Sequence, residues 1–238
     1  MVFGLVGCLG FLVQQQVSNP PSVRQTISSG AFEGKVLKPV SLKYLTYLPE
    51  DYNESRKRFP LLLFLHGSGE RGADLEKVLV HGPLKLAAAG QKFPFIIVAP
   101  QCPANRSWDA DELVGLLNDL EKKFRVDRSR EYVSGLSMGG YGTWALLAAQ
   151  PKRFAAAIPI CGGGDPNKAA QFAKVPLWVV HGDQDQAVPF QQSVNMVTAL
   201  ESAGGTPIFT KVIGGGHDVW TDFYSNKDVY EWLLKHKR

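Results

Sequence analysis

The chain has 238 residues, of which 45% are apolar, 11% aromatic and 20% charged, the composition of a globular domain with an ordinary buried core. This composition excludes a disordered tail, a collagen and a disulfide-stapled miniprotein. The formal net charge is +4, and the basic residues are scattered apart from two short runs, 56–58 and 235–238. Because nucleic-acid binding requires a concentrated basic patch, we expect no nucleic-acid partner.

The first residues contain an apolar run, 2–13, which has the length of a signal-peptide core but lacks the preceding Lys or Arg. It is far shorter than the roughly 20 residues of a membrane-spanning helix, so we expect no stable membrane span. The run also contains LVGC, which resembles a bacterial lipoprotein cleavage site. We expect an N-terminal segment and linker over residues 1–30, a folded domain over 31–238, and export as a periplasmic, secreted or lipid-anchored protein. The alternative interpretation of the apolar run 2–13 is an N-terminal strand or a frayed chain end.

Short β-rich runs alternate with helical patterns from residue 40 onward. The predicted strands are 40–48, 61–65, 95–99, 131–135, 155–160, 177–180 and 207–213. The predicted helices are 75–89, 111–124, 139–150, 190–203 and 227–235. Strands separated by helix-length segments indicate crossover connections, and hence a mostly parallel central sheet with helices on both faces. The sequence therefore predicts a single α/β domain.

The strongest motif, GLSMG over residues 135–139, lies directly after a predicted strand and directly before a predicted helix. In an open parallel sheet, ligands bind outside the carboxyl ends of the strands. Small residues around a serine in such a tight turn let its hydroxyl project into the cleft at a helix N-terminus. A simple Gly-Ser connection is the alternative, but the placement favours Ser137 as a nucleophile.

A serine hydroxyl needs a base, and the base needs an orienting acid. Two candidate acids, Asp183 and Asp185, lie in the run HGDQD after the sixth predicted strand. We predict Asp185 as the acid because it stands at the loop apex, and Asp183, nearer the strand, as a partner of backbone amides. Their alternation with His181 also matches metal ligands, but no second cluster completes a site, so no metal is expected.

The predicted base is His217, which follows the last strand and three glycines. Its place after the acid in chain order and at a strand end favours catalysis over the structural role of most single histidines. His66 and His181 each precede a glycine at a strand end and are expected to tie loops together. His81 lies in a helix or its turn.

The loop HGSGERG, residues 66–72, contains the G-x-G-x-x-G pattern of dinucleotide-binding loops. Such a site needs an acidic residue about 20 residues further on, where this sequence reads AAAGQK. We therefore interpret the loop as half of an oxyanion hole, in which the backbone N–H groups of Ser68 and Met138 donate to a developing negative charge.

Six motifs, from about residue 40 to the C-terminus, are similar to those of the α/β-hydrolase superfamily: HGSGERG, HGPLKL, APQCP, GLSMGGYGTW, HGDQDQAVP and GGGHDVW. More narrowly, the chain resembles bacterial serine esterases of the phospholipase/carboxylesterase type, near the dienelactone hydrolase-like, feruloyl esterase-like and polyhydroxybutyrate depolymerase-like groups. The resemblance implies an α/β-hydrolase catalytic domain that cleaves a small-molecule carboxylic ester and needs no cofactor. Dienelactone hydrolases proper carry a cysteine where this chain has Ser137, which disfavours that activity.

Two other functions stay open on the same fold. A peptidase or thioesterase would use the same three residues and differ in the leaving group that it recognises. A non-catalytic binding protein should have lost at least one of the three, and the sequence keeps them all.

Only residues 161–176 separate the fifth and sixth predicted strands, which is too short for the cap domain that many relatives insert there. The cleft should therefore be open and suit short-chain or aryl esters better than water-insoluble triglycerides. We nominate Trp108, Tyr141 and Trp220 for contacts with an acyl or aryl group, with ordinary core packing as the alternative.

Two of the three cysteines, Cys102 and Cys161, follow strands that this fold separates by two others, or about three spacings of 4.8 Å. A disulfide requires Cα atoms within about 7 Å of each other. Both residues are therefore predicted to be free thiols.

Overall fold

A computed structural model describes residues 39–238, and Val40–Arg238 forms one compact unit. The predicted domain boundary at residues 30–31, the apolar run 2–13 and the linker lie outside the described residues. No helix within residues 39–238 combines the length and the apolar character needed to cross a bilayer.

Residues 39–238 contain seven strands in one sheet: β1 Tyr44–Tyr47, β2 Phe59–Leu65, β3 Ile96–Pro100, β4 Val126–Leu136, β5 Ala156–Ile160, β6 Trp178–Gly182 and β7 Ile208–Val212. Their order in the sheet is β1-β3-β2-β4-β5-β6-β7. β1 is antiparallel to β3, and the other neighbouring pairs are parallel. All seven predicted strands and the mostly parallel sheet are confirmed, with β4 beginning earlier than the sequence pattern indicates.

Seven α-helices accompany the sheet within the described residues: α1 Gly82–Ala88, α2 Ala110–Lys123, α3 Met138–Ala149, α4 Ala169–Phe172, α5 Gln191–Ser202, α6 Trp220–Ser225 and α7 Asp228–Leu234. Four predicted helices are confirmed as α2, α3, α5 and α7. The sequence pattern does not predict α4 or α6, because a turn or two of helix contains too few residues to show an apolar period.

The prediction of one continuous helix over residues 75–89 is wrong. Leu75–Leu79 forms a 3-10 helix, and α1 begins separately at Gly82. Gly82 has a positive φ of 70°, which other residues rarely adopt. Pro83 lies in the first turn of α1, where its missing N–H costs nothing. The backbone therefore turns at Gly82 and starts a new helix.

β2 shows why the sheet carries helices on both faces. All seven of its residues are buried. Alternate residues, Leu61, Leu63 and Leu65, pack into a core that includes α2, α3 and α5. Leu62 and Phe64 pack into a second core with α1, α6 and α7. Successive side chains of a strand point to opposite faces, so a strand covered on both sides is apolar at every position.

The turn from β4 to α3 is unusually tight. Ser137 lies in this turn with a φ of 53°, a conformation that costs free energy for any residue with a side chain. A Cβ on Gly135 would stand 2.3 Å from the Gly139 oxygen, and a Cβ on Gly139 would stand 1.9 Å from the Leu65 oxygen. The start of α3 therefore approaches β2 and β4 so closely that only glycine fits at both positions.

We expect Gly139→Ala to destabilise the protein by about 3 kcal/mol, because the added methyl group overlaps a backbone oxygen in a packed region. Gly115→Ala is the matched control. Gly115 lies within α2 with open space where a Cβ would stand, and alanine there should stabilise the helix by about 0.5–1 kcal/mol. Urea unfolding measures both effects, and equal stabilities for the two variants would contradict the close approach.

Candidate active site

The three residues predicted to act together come from separate elements at the carboxyl edge of the sheet. Ser137 lies between β4 and α3, Asp185 in the loop after β6, and His217 in the loop after β7. The His217 ring joins the other two, with Nε2 at 2.9 Å from Ser137 Oγ and Nδ1 at 2.7 Å from Asp185 Oδ2. The structure therefore brings all three into one hydrogen-bonded line.

The partners of His217 determine which ring nitrogen carries the proton. A carboxylate can only accept hydrogen bonds, so Nδ1–H donates to Asp185. Nε2 is then an acceptor, and the Ser137 hydroxyl donates to it. This tautomer is the one in which the imidazole can take a proton from the serine hydroxyl.

The Asp185 carboxylate is buried and well supplied with donors. Its Oδ1 accepts hydrogen bonds from the N–H groups of Ala187, at 2.8 Å, and Val188, at 2.9 Å. Burial raises the pKa of the Asp185 carboxyl, but the hydrogen bonds from Val188, His217 and Ala187 outweigh burial and lower this pKa overall. The charged form that orients His217 is therefore stabilised.

The neighbouring aspartate has a different role in the loop. Asp183 accepts a hydrogen bond from the Gly214 N–H at 2.7 Å and lies 3.3 Å from Lys211 Nζ. It therefore binds the backbone that leads to His217, as predicted, whereas Asp185 binds the imidazole itself. Asp185 also accepts backbone hydrogen bonds, which the sequence comparison of the two aspartates did not predict.

His66 and His181 hold loops together, as expected. His66 Nε2 accepts a hydrogen bond from the Cys102 N–H at 3.0 Å. His181 Nε2 lies 3.0 Å from the Val188 oxygen, and its Nδ1 lies 2.7 Å from Ser193 Oγ. Burial lowers the pKa of both imidazoles, which favours their neutral forms.

His181 is also part of a cluster of possible metal ligands, but the members of this cluster differ from those that the sequence suggested. Its Nε2 lies 3.2 Å from Asp185 Oδ2, and the two residues form with Cys161 a cluster of possible metal ligands within 4.8 Å of one another. Asp183 is not a member. Hydrogen bonds already engage His181 and Asp185, and burial raises the pKa of the Cys161 thiol to about 12. A neutral thiol and occupied nitrogen atoms make a poor donor set for a metal.

Cys102 and Cys161 are both free and buried, which confirms the prediction made from the strand order. The raised pKa of Cys161 comes mainly from burial. Since the thiolate is the reactive form, neither position has the character of an activated cysteine.

The two predicted oxyanion donors lie at helix starts beside Ser137. Ser68 begins the 3-10 helix Ser68–Glu70, and Met138 begins α3. The first N–H group of a helix has no acceptor within that helix and is free to bind a ligand. A Cβ on Gly67 would stand 3.7 Å from Ser137 Cβ, so the loop passes close to the serine. The role of the two amides stays a prediction.

Two pockets meet at Ser137. The larger, of about 770 Å³, is lined by Trp108, Tyr141 and Phe172, among others. Phe172 belongs to α4, so the short segment between β5 and β6 forms part of this wall and no cap domain is inserted there. The smaller, of about 160 Å³, is lined by the loop that contains Ser68, by His217 and by Trp220.

The three nominated aromatic residues therefore do not share one pocket. Trp108 and Tyr141 line the larger pocket and Trp220 the smaller one. The Trp220 ring contacts the His217 ring edge to face, with centroids 4.9 Å apart. Sequence reasoning missed Glu70 and His81, which also line the smaller pocket. The motif HGSGERG contained Glu70, but nothing in the motif shows which way its side chain points.

Known proteins similar to this chain include esterases. The chain is 26% identical over 197 residues to a probable feruloyl esterase C of Aspergillus oryzae, covering 76% of this chain and 70% of that protein. It is 28% identical over 141 residues to a bifunctional acetylxylan esterase/xylanase of Neocallimastix patriciarum, covering 56% of this chain and 20% of that protein. A crystal structure of a thermostable esterase superposes with a TM-score of 0.72 at 33% identity, covering 83% of this chain and 60% of that one.

These similarities confirm the expected resemblance to α/β-hydrolase esterases and the α/β-hydrolase fold. The chain spans a fifth of the length of the acetylxylan esterase/xylanase and 60% of the thermostable esterase. The model of the prolyl oligopeptidase family matches residues 103–171 and 165–237. Because these residues make up more than half of the chain, the protein belongs to the prolyl oligopeptidase family.

Proposed function

We propose that this protein is a serine carboxylesterase that hydrolyses short-chain or aryl carboxylic esters through an acyl-enzyme intermediate. The observation that carries the proposal is the hydrogen-bonded line from Ser137 through His217 to Asp185. A nucleophile, a base and an orienting acid in this order can activate a serine for acyl transfer. The esterase relatives support an ester as the bond that is cleaved.

In the first half of the reaction, Ser137 Oγ attacks the ester carbonyl carbon while His217 Nε2 takes the hydroxyl proton. Asp185 holds the ring and stabilises its positive charge. The N–H groups of Ser68 and Met138 donate to the carbonyl oxygen as it becomes negative. When the bond to the alcohol breaks, His217 returns the proton to the leaving oxygen and the acyl group stays on Ser137.

In the second half, water attacks the acyl carbon and gives a proton to His217 Nε2. The same two amides receive the second oxyanion. Collapse of this intermediate breaks the bond to Ser137 Oγ, which regains its proton from His217, and the carboxylic acid departs. The cycle therefore needs no group beyond substrate, water and these five residues.

The larger pocket suits the acyl group. Its volume of about 770 Å³ is within the range of small-molecule sites. Trp108, Tyr141 and Phe172 supply aromatic surface, which packs favourably against another ring. This pocket therefore favours an aryl acyl group, and a short alkyl chain fits with less contact.

A fluorophosphonate probe should form one adduct, on Ser137, because only an activated serine reacts with it readily. Mass spectrometry of the labelled, digested protein locates the adduct. Ser137→Ala should abolish both labelling and ester hydrolysis while its circular dichroism and melting temperature stay near those of the parent protein. A folded but unlabelled parent protein would favour the non-catalytic binding protein.

We expect Asp185→Asn to lower kcat for a 4-nitrophenyl ester by about 10⁴-fold, because the amide favours the wrong His217 tautomer. Asp183→Asn is the matched control, since Asp183 bonds to Gly214 and Lys211 rather than to the imidazole. Its kcat should stay within tenfold of the parent value. Steady-state kinetics on both variants measure the difference, and equal losses would contradict the assignment of Asp185.

Replacing Tyr141 should separate aryl from short acyl groups. Its side chain lines the larger pocket and is 40% exposed. Tyr141→Ala should lower the ratio of kcat/KM for an aryl acyl ester over the matching acetyl ester by about tenfold, equivalent to about 1.4 kcal/mol of lost ring contact. Tyr141→Phe keeps the ring and should keep the ratio. A ratio that is the same in all three proteins would remove Tyr141 from the acyl site.

Peptide hydrolysis is the second candidate function, and membership of the prolyl oligopeptidase family favours it. Peptidases, thioesterases and esterases share the same nucleophile and base, so the leaving group decides between them. Acetyl, feruloyl, thioester and peptide substrates assayed side by side make the distinction. Turnover of peptides without turnover of esters would show that the proposed function is wrong.

A further inference from the structure

The smaller pocket beside Ser137 has a chemical character that ester hydrolysis alone does not require. Its volume is about 160 Å³, and its walls include Glu70, His81, His217 and Trp220. Its volume is about a fifth of that of the larger pocket, which is about 770 Å³. It is therefore suited to a small group such as a short alcohol.

Three of these wall residues each have a buried polar atom with no hydrogen-bond partner among residues 39–238: Glu70 Oε2, His81 Nδ1 and Trp220 Nε1. Glu70 and Trp220 are only 9% and 7% exposed. Buried polar groups are nearly always hydrogen-bonded in folded proteins. Three residues with such an atom around one small pocket therefore point to a polar ligand, and the side chains have to rotate slightly to expose these atoms to it.

The neighbours of Glu70 do not satisfy its carboxylate. Its oxygens lie 3.8 Å from His66 Nδ1 and 3.9 Å from His81 Nε2, too far for hydrogen bonds. His66 Nε2 accepts from Cys102, so the ring proton is on Nδ1, 2.6 Å from the Gly67 oxygen. His66 therefore donates its Nδ1 proton to the Gly67 oxygen and not to Glu70.

The position of Glu70 also puts its carboxylate near the reaction. A Cβ on Gly67 would stand 3.3 Å from Glu70 Oε2 and 3.7 Å from Ser137 Cβ. Since these distances of 3.3 Å and 3.7 Å limit the separation, Glu70 Oε2 and Ser137 Cβ lie within about 7 Å of each other.

His217 identifies which half of the ester enters this pocket. The base must return its proton to the leaving oxygen, so the alcohol has to lie on the side of the imidazole. His217 lines the smaller pocket and does not line the larger one. The smaller pocket therefore receives the leaving alcohol and the larger pocket the acyl group.

The unpaired atoms match a hydroxyl group better than other polar groups. A carboxylate only accepts and an indole N–H only donates, whereas a hydroxyl does both. An ammonium group would leave the indole unpaired, and a phosphate or carboxylate would be repelled by Glu70. An alkyl group would leave all three atoms without partners.

We propose that Glu70, His81 and Trp220 form a leaving-group subsite that selects esters whose alcohol carries a further hydroxyl, in a group about the size of glycerol. This inference rests on the proposed esterase function. It adds the chemical class of the alcohol and the residues that recognise it.

The test compares kcat/KM for 2,3-dihydroxypropyl acetate with that for propyl acetate, measured by titration of the released acid. The two esters share the acyl group and carbon chain and differ in the hydroxyls. The parent protein should prefer the dihydroxy ester at least tenfold, as sites built to bind a hydroxyl do. Glu70→Leu, of similar volume, should bring the ratio near one.

Glu76→Leu is the matched control, because Glu76 is exposed on the 3-10 helix Leu75–Leu79 and does not line the pocket. It should keep the parent ratio. Trp220→Phe removes the indole N–H and should lower the ratio, so it tests the subsite even if Glu70→Leu fails to fold.

Three results would overturn the subsite. One is a parent ratio near one, another is a ratio unchanged in both Glu70→Leu and Trp220→Phe, and the third is a higher kcat/KM for acetylcholine than for the dihydroxy ester. In each case, turnover of the esters and labelling of Ser137 would leave the proposed esterase function intact. No turnover of any ester and no labelling of Ser137 would overturn both proposals.

Discussion

The arrangement of the site depends on the backbone of one residue, Ser137. Its φ of 53° costs about 1–3 kcal/mol in a residue that has a Cβ. Two backbone hydrogen bonds hold Ser137 in this conformation. Its N–H donates to the Ile160 carbonyl oxygen at 2.9 Å, and its carbonyl oxygen accepts from the Tyr141 N–H at 3.1 Å. The serine is thus fixed to both β5 and α3, and the rest of the site has to be brought to it.

The loops after β6 and β7 together bring Asp185 and His217 to Ser137. A Cβ on Gly182, at the end of β6, would stand 2.3 Å from the oxygens of Gly215 and Gly216. Gln184 also donates its N–H to the Gly215 oxygen at 2.9 Å. The loop that carries Asp185 therefore packs directly on the loop that carries His217, and this packing brings the two side chains within hydrogen-bond distance.

The sequence was sufficient for the number and order of the strands, because most contain a compact apolar run with polar or glycine-rich ends. It missed the start of β4 at residues 126–130, because that part of the strand is polar and mostly not buried. It also placed Ser137, Asp185 and His217, since strand ends in a parallel sheet share one edge. The break at Gly82 was not predictable from apolar spacing, which continues through it. Predicting that Glu70, His81 and Trp220 lie around one pocket would require the side-chain directions of three separate segments. Such a convergence leaves no periodic pattern in the chain.

The Glu70 carboxylate lies close enough to Ser137 for its negative charge to affect the reaction. A negative charge near the developing oxyanion opposes the same step that the Ser68 and Met138 amides are proposed to favour. A substrate hydroxyl that donates a hydrogen bond to Glu70 shifts the negative charge of the carboxylate away from the oxyanion and towards the alcohol. A substrate with such a hydroxyl would then gain in the transition state as well as in binding, so that selection by the smaller pocket would raise kcat and not only lower KM.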